Sequence, residues 1–145
     1  MIDKTKELLA QANLGKTHNA REYSPLALAY IGDAVYEVMI RTVVIGMGNA
    51  RVNQYHQTTK EFVQAKGQAQ FYNHIKEILT EAEEDIFKRG RNAKSSSSAK
   101  NTDILTYRHA TGVEALIGYL YLDQDIERIL EIMKYGLEKL EEEKI

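Results

Sequence analysis

The sequence predicts an all-α protein, and three observations support this prediction. Apolar residues recur at intervals of three and four along most of the chain, as on one face of an α-helix. The 145 residues include a single proline and no sustained strand-like alternation of apolar and polar residues. Ser24 with Pro25 forms a helix start, and Thr80 with Glu83 forms a capping box. A chain of this length fits one domain with a hydrophobic core, spanning residues 1–145.

Seven helices are expected in chain order. Ser24 caps the second helix, which should end near Gly46 or Gly48 because glycine commonly follows the last helical residue. Thr80 opens the fifth helix through its capping box. The last helix has one apolar face and one charged face, as surface helices do. The expected ranges are 4–12, 24 to 46 or 48, 50–58, 59–79, 80–87, 106–122 and 125–143.

The second helix, SPLALAYIGDAVYEVMIR at residues 24–41, is apolar on most sides and is therefore expected in the core. Asp33 lies near its middle and must be protonated, paired or bound to a cation, because an isolated buried charge is too costly. Gly32 lowers the stability of this helix by roughly 1 kcal/mol relative to alanine. We therefore expect another backbone segment to pass close to Gly32, where the Asp33 carboxylate points.

The sixth helix repeats this arrangement. Glu114 lies within its apolar sequence TYRHATGVEALIGYLYL, near Gly112 and Gly118. Two carboxylates on adjacent helices, together with waters and a substrate phosphate, can complete the oxygen shell of Mg²⁺. Such a metal could activate water for cleavage of the phosphate ester. The alternative is structural, because Arg41, Arg108 or a helix N-terminus could pair with either acid.

Basic residues are concentrated in one segment, although the net charge of the chain is −2 and its pI is about 6.1. Residues 88–108 contain six lysines and arginines against Asp103 alone. This segment includes GRNAKSSSSAKNT, which predicts a flexible basic loop at about residues 90–105. Such a loop can adapt to phosphates, although most serine-rich loops are linkers. The charge concentration favours a contact surface for a polyanion.

Several classes of protein are excluded or disfavoured. Asp33, Glu37 and Arg41 interrupt the longest apolar stretch, so no run reaches the roughly 18 residues of a membrane-spanning helix. The N-terminal MIDKTKELLAQ lacks the apolar region of a signal peptide. The chain contains no cysteine, which excludes disulfides and thiolate-bound metals. Together these features predict a cytoplasmic protein.

Two sequence blocks resemble the ribonuclease III family. YIGDAVYE at residues 30–37 is similar to its signature helix, and VEALIGYLYLD at residues 113–123 is similar to its second catalytic helix. The blocks stand in the family's order, and the resemblance covers roughly residues 20–135. LALAYIGDAVYE, KRGRNAK and KNTD together resemble the Mini-III branch, which consists of the catalytic domain without a double-stranded-RNA-binding domain.

The resemblance implies the ribonuclease III endonuclease-domain helical bundle, homodimeric with two active sites. It implies Mg²⁺-dependent hydrolysis of double-stranded RNA, with Mn²⁺ as a substitute, leaving 5′-phosphate and 3′-hydroxyl ends. The implied substrate is the stem of the 23S ribosomal RNA precursor, with a large-subunit ribosomal protein as a helper. Asp33 and Glu114 match the family's catalytic, metal-binding aspartate and glutamate. Its two further acids are replaced by Ala29 and Thr111, which predicts weak Mg²⁺ affinity.

Other residues are predicted to support the site or to contact RNA, although they match the family's motifs less closely. Glu37 and the Thr111 hydroxyl are candidate supporting groups. The predicted RNA-binding residues are the basic ones of the 88–108 segment: Lys88, Arg89, Arg91, Lys94, Lys100 and Arg108.

Two other functions are open at this point. One is a catalytically silent ribonuclease III-like domain that binds RNA or ribosomal subunits, which the missing acids at Ala29 and Thr111 favour. The other is a helical scaffold for protein contacts, which the amphipathic acidic C-terminal helix would suit.

Overall fold

A computed structural model describes residues 7–8, 11–12, 19–93 and 103–143. Within residues 19–93 and 103–143 a short 3-10 turn, Ala20–Glu22, precedes six α-helices, which we number α1 to α6. Their bounds are Pro25–Gly46, Val52–Val63, Ala65–Ile75, Glu81–Asn92, Ile104–Leu122 and Ile126–Glu143. No strand occurs among the described residues, and the predicted all-α class is confirmed.

Helices α1 and α5 form the centre of the fold and cross at two glycines. A Cβ atom on Gly32 would lie 1.7 Å from the carbonyl oxygen of Glu114, and one on Gly118 would lie 1.9 Å from that of Leu28. Only glycine lets two backbones approach this closely. The expected passage of a second backbone at Gly32 is therefore confirmed.

Helix α4 packs on the other side of α5 through a second glycine contact. A Cβ atom on Gly112 would lie 2.6 Å from the Phe87 ring, and one on Gly90 would lie 2.6 Å from the Cβ of Ala115. Helices α3 and α6 cover the rest of α5. The largest fully buried apolar side chains come from five of the helices: Leu28, Tyr36, Ile40, Phe71, Ile75, Phe87, Leu116, Ile117, Ile129 and Ile132.

The predicted capping box at Thr80 and Glu83 is present and also anchors α6. Arg128 donates from Nε and Nη2 to the two carboxylate oxygens of Glu83, each at 2.8 Å, and from Nη2 to the Ile78 carbonyl at 2.7 Å. Burial alone would raise the pKa of Glu83, but the hydrogen bonds from Arg128 and Thr80 outweigh it and lower that pKa. This ion pair fixes the start of α6 to the turn between α3 and α4.

The predicted boundary between helices 50–58 and 59–79 is wrong, because the first of these helices continues to Val63. The break falls at Gln64, whose backbone is extended, and separates α2 from α3. Gly67 allows the sharp turn, because a Cβ there would lie 2.2 Å from the Glu61 carbonyl oxygen. The carbonyl of Phe62, near the end of α2, accepts a 3.1 Å hydrogen bond from the Tyr36 hydroxyl of α1. A contact from a distant helix therefore holds the end of α2 at the break.

The fifth predicted helix is longer than expected, because α4 continues past Phe87 to Asn92. Gly90 is a packing residue within the helix rather than the start of a loop. The predicted loop at residues 90–105 is correspondingly shorter at both ends, since α5 begins at Ile104. Its central residues, 94–102, lie outside the described part of the chain.

The other predicted helices agree with the structure where it describes them. Residues 7, 8, 11 and 12 of the expected 4–12 helix are helical. Asp103 caps α5 by accepting from the Thr106 N–H at 2.9 Å, so the helix begins at Ile104, two residues before the predicted start. Over the described residues, every helix is too short or too polar to span a bilayer.

Candidate active site

The crossing of α1 and α5 brings the two predicted acids together. Asp33 follows Gly32 on α1, and Glu114 supplies the carbonyl that Gly32 faces. The two carboxyl groups interact there, since Asp33 is among the causes that raise the pKa of Glu114. Residues about 80 positions apart in sequence thus share one site because three glycine-dependent contacts, at Gly32, Gly112 and Gly118, position the helix that carries Glu114.

The two acids differ in their surroundings. Glu114 is half-buried, whereas Asp33 is exposed. The expectation that Asp33 lies in the core is therefore wrong for the single chain. Helix α1 is apolar on most sides, but only the face with Leu28, Tyr36 and Ile40 is buried. Asp33 lies at the margin of that buried face, directly after Gly32, and its side chain is exposed to solvent.

Gln68 completes the immediate surroundings of Glu114. This residue of α3 is 2% exposed, and its Nε2 donates to Glu114 Oε2 at 3.5 Å. Burial, a hydrogen bond with Asp33 and the Asp33 charge raise the pKa of Glu114 to about 8, and the Gln68 hydrogen bond opposes that rise. Without a cation, the raised pKa favours the protonated form of Glu114 at neutral pH.

Sequence reasoning missed Gln68, although a signal was present. Phe71, Tyr72 and Ile75 follow Gln68 by three, four and seven residues, which places all four on one helix face, and a polar residue on that buried face requires a polar partner. Which partner it finds could not be read from the sequence, because Glu114 is on a different helix.

The donor set suits a hard divalent cation. Two carboxylates supply oxygen ligands, and Mg²⁺ is commonly held by one or two carboxylates with waters and substrate phosphates filling the other positions. Among the described residues no group of three or more acidic or histidine side chains is arranged to hold a metal. A resident metal would therefore depend on Asp33 and Glu114, with waters in the remaining positions.

The predicted supporting groups are engaged elsewhere. Glu37 pairs with Arg41 at 3.0 Å on the surface of α1. The Thr111 hydroxyl donates to the Tyr107 carbonyl within its own helix at 3.1 Å. Within the described residues, neither Asp33 nor Glu114 forms a salt bridge with an arginine, so the structural alternative of a pair with Arg41 or Arg108 is not realised.

The basic residues that the structure describes lie at the end of α4 and the start of α5. Lys88, Arg89 and Arg108 are exposed, and Arg91 is half-buried with its Nε donating to Asn92 at 3.1 Å. These four are helical rather than in a loop. The remaining two predicted RNA-binding residues, Lys94 and Lys100, lie outside the described residues.

A groove of about 980 Å³ lies elsewhere, between α3 and α4. It is lined by Tyr72, Glu84, Asp85 and Lys88 among others, and contains neither Asp33 nor Glu114. Its mixed charges give no reason to move the candidate site.

Comparison with known proteins supports the resemblance. The family model described as Ribonuclease III domain matches residues 26–125. Mini-ribonuclease 3 of Clostridium tetani is 50% identical over 123 residues, which cover 84% of this chain and 82% of that protein. The chain belongs to the ribonuclease III family, in its Mini-ribonuclease 3 branch. Mini-ribonuclease 3 of Enterococcus faecalis is 45% identical and is covered over 94% of its length, with 84% of this chain matched.

A solved structure of a protein with a similar sequence has the same fold. The crystal structure of protein FN1578 from Fusobacterium nucleatum matches with a TM-score of 0.74 and 31% identity, covering 85% of this chain and 99% of that one. Both blocks that resemble the family's catalytic helices lie within the match to the ribonuclease III domain. Family membership supports an endoribonuclease activity, while the catalytic roles of Asp33 and Glu114 stay predictions.

Proposed function

We propose that the chain is a Mg²⁺-dependent endoribonuclease that cleaves double-stranded RNA. The observation that carries this proposal is the α1–α5 crossing, which brings Asp33 and Glu114 to one site where Asp33 raises the pKa of Glu114. Two acids this close repel each other when both are ionised, and a divalent cation would relieve that repulsion. Bound Mg²⁺ would supply an activated water and neutralise the charge that develops on the phosphate.

The different exposure of the two acids gives them different roles in this proposal. Exposed Asp33 would face the RNA backbone and orient the attacking water. Half-buried Glu114, held by α5 and by Gln68, would provide the fixed ligand. Hydrolysis would leave a 5′-phosphate and a 3′-hydroxyl, as the family resemblance implies.

The basic ends of α4 and α5 are the proposed RNA-contact surface. Lys88, Arg89 and Arg108 form no ion pair with other described residues, so their charges are available to phosphates. A-form duplexes are recognised mainly through shape, phosphate and 2′-hydroxyl contacts, which need positive charge more than base-specific groups. Lys94 and Lys100 are proposed to extend this surface.

The proposed cellular substrate is the stem of the 23S ribosomal RNA precursor, with a large-subunit ribosomal protein as a partner. This step rests on the similarity to the Mini-ribonuclease 3 branch. Cells that lack the protein should accumulate 23S precursor with extended ends. Normal ends in such cells would remove this substrate while leaving the nuclease activity to be judged separately.

A homodimer is proposed through the solvent-exposed apolar stripe of α1. Tyr30, Val38 and Ile45 repeat at helical spacing and are 83%, 61% and 64% exposed. Large apolar side chains exposed along one face of a helix favour an interaction surface. Sedimentation should give a dimer for the wild type and a monomer for Val38→Asp, and a wild-type monomer at micromolar concentration would contradict the proposal.

The central test incubates duplex RNA with the wild type, Asp33→Asn and Glu114→Gln, with and without Mg²⁺. Each substitution should lower cleavage at least about 10²-fold, the scale of losing one preorganised electrostatic group. Glu138→Gln, an exposed acid on α6, is the matched control and should cleave like the wild type. Duplex binding without cleavage by the wild type, in Mg²⁺ and in Mn²⁺, would instead select the silent RNA-binding domain.

A further inference from the structure

Gln68 is a buried polar residue in a position where packing alone would favour an apolar one. It is 2% exposed and lies on the face of α3 that also carries Phe71 and Ile75, both fully buried. Burying an amide is unfavourable unless it is hydrogen-bonded. A side chain such as methionine would fill the same space without that requirement, so the amide itself calls for an explanation.

The amide contacts one of the two acids of the site. Gln68 Nε2 donates to Oε2 of Glu114 at 3.5 Å, and Asp33 directly follows Gly32, whose Cα faces the Glu114 backbone. Glu114 therefore lies between a fixed donor on α3 and the exposed acid on α1. The amide constrains one oxygen of Glu114.

The backbone that carries Gln68 is held rigidly. A Cβ on the preceding residue, Gly67, would lie 2.2 Å from the Glu61 carbonyl oxygen, so the first turn of α3 packs directly on the end of α2. That end of α2 is bonded to α1, because the Tyr36 hydroxyl donates to the Phe62 carbonyl at 3.1 Å. Tyr36 is three residues after Asp33, so the helix that carries Asp33 also holds the backbone next to Gln68.

We propose that Gln68 is a positioning residue, whose amide holds the Glu114 carboxylate beside Asp33 in the orientation that a shared divalent cation requires. The inference rests on the proposed function, since it concerns the cation that the two acids would bind. Groups that hydrogen-bond to metal ligands typically contribute ten- to hundredfold to metal affinity. Gln68 is such a group, because it donates a hydrogen bond to the proposed metal ligand Glu114.

The test measures Mn²⁺ binding by isothermal titration calorimetry, without RNA, together with thermal unfolding. Gln68→Met keeps the side-chain length and removes the donor, and we expect at least about tenfold weaker Mn²⁺ binding with an unchanged or raised unfolding temperature. Gln70→Met changes an exposed glutamine on the same helix and should bind Mn²⁺ like the wild type. In RNA cleavage, the loss should appear as a higher Mn²⁺ requirement, restored at saturating metal.

A second variant covers the case in which Gln68→Met does not fold. Gln68→Glu preserves the shape and places a third carboxylate beside Glu114, so Mn²⁺ should bind at least about tenfold more tightly and raise the unfolding temperature more than in the wild type. Unchanged Mn²⁺ affinity in a folded variant of either kind would overturn the role of Gln68. A wild type that binds no Mn²⁺ and cleaves no RNA would instead refute the proposed function.

Discussion

The glycine crossing of α1 and α5 can be tested by adding one methyl group to α1. In Gly32→Ala the new Cβ would lie 1.7 Å from the Glu114 carbonyl oxygen, 2.7 Å from its carbon and 2.8 Å from the Gly118 nitrogen. All three are backbone atoms, which cannot rotate away as a side chain would. An ordinary contact begins near 3.4 Å, so the helices must separate by well over an ångström at Glu114.

The energetic cost follows from that displacement. Overpacking of a core typically costs about 1–3 kcal/mol, and a clash with backbone belongs at or above the upper end. Alanine recovers about 1 kcal/mol of helix propensity relative to glycine. The net loss of unfolding free energy should be about 2 kcal/mol or more, which lowers the melting temperature by roughly 4–8 °C for a chain of this size.

Gly46→Ala in the same helix is the matched control. No atom lies within 4 Å of a Cβ placed on Gly46, so this substitution should be neutral or stabilising by up to about 1 kcal/mol. Thermal unfolding followed by circular dichroism compares the two variants, and cleavage of duplex RNA reports whether Asp33 and Glu114 remain in contact. A Gly32→Ala variant that melts like Gly46→Ala and keeps full activity would refute the crossing as the origin of the site.

Three further predictions follow from the electrostatics. Arg128→Met leaves the Glu83 carboxylate buried without its partner and should lower the free energy of unfolding by about 3 kcal/mol at pH 7. Because the pKa of Glu83 is lowered in the folded protein, this difference from the wild type should shrink as the pH falls through that pKa. A difference that stays constant in thermal melts from pH 3 to 7 would contradict this explanation. Glu114→Gln should stabilise the metal-free protein, because the wild type loses stability as the pH rises from the ordinary pKa of 4.5 to the raised value of about 8. In EDTA, the difference in unfolding free energy between the variant and the wild type should therefore grow across that pH window. A difference that is already complete at pH 5 would contradict this prediction. Arg89→Ala and Arg108→Ala should each reduce the salt slope of duplex RNA binding by roughly one unit, and unchanged slopes would assign these residues another role.

The central helices could be predicted because their signals are local. Ser24 and Pro25 mark the start of α1, and the Ser24 hydroxyl does accept from the Ala27 N–H at 3.2 Å. The cost of Gly32 within a helix correctly indicated a close second backbone. The residues alone left the Asp33–Glu114 pair as one of two interpretations, and the family resemblance favoured it, because spacing alone does not say which helices meet.

The errors have a common cause in contacts between distant residues. The apolar spacing through residues 59–79 continues across Gln64, but the helix breaks there, between a Phe62 carbonyl bonded to Tyr36 and a Gly67 packed on the Glu61 carbonyl. Gln68 was missed since its partner lies 46 positions away in sequence. Asp33 was predicted in the core because the sequence of α1 is apolar on most sides, and an exposed apolar face cannot be told from a buried one by sequence. Tyr30 and Val38 show that one apolar face of α1 is exposed in the single chain.

The absence of two family acids has a consequence for how metal and RNA would bind. Ala29 and Thr111 are 7% and 9% exposed, so both positions are occupied by packed side chains that supply no carboxylate. Under the proposed function, Asp33 and Glu114 leave most of the shell of Mg²⁺ to water and to phosphate oxygens of the substrate. Whatever the RNA adds to metal affinity, the metal must add equally to RNA affinity, because the coupling between two ligands is reciprocal. A two-acid site should therefore bind metal weakly alone and couple it to RNA more strongly than a four-acid site would.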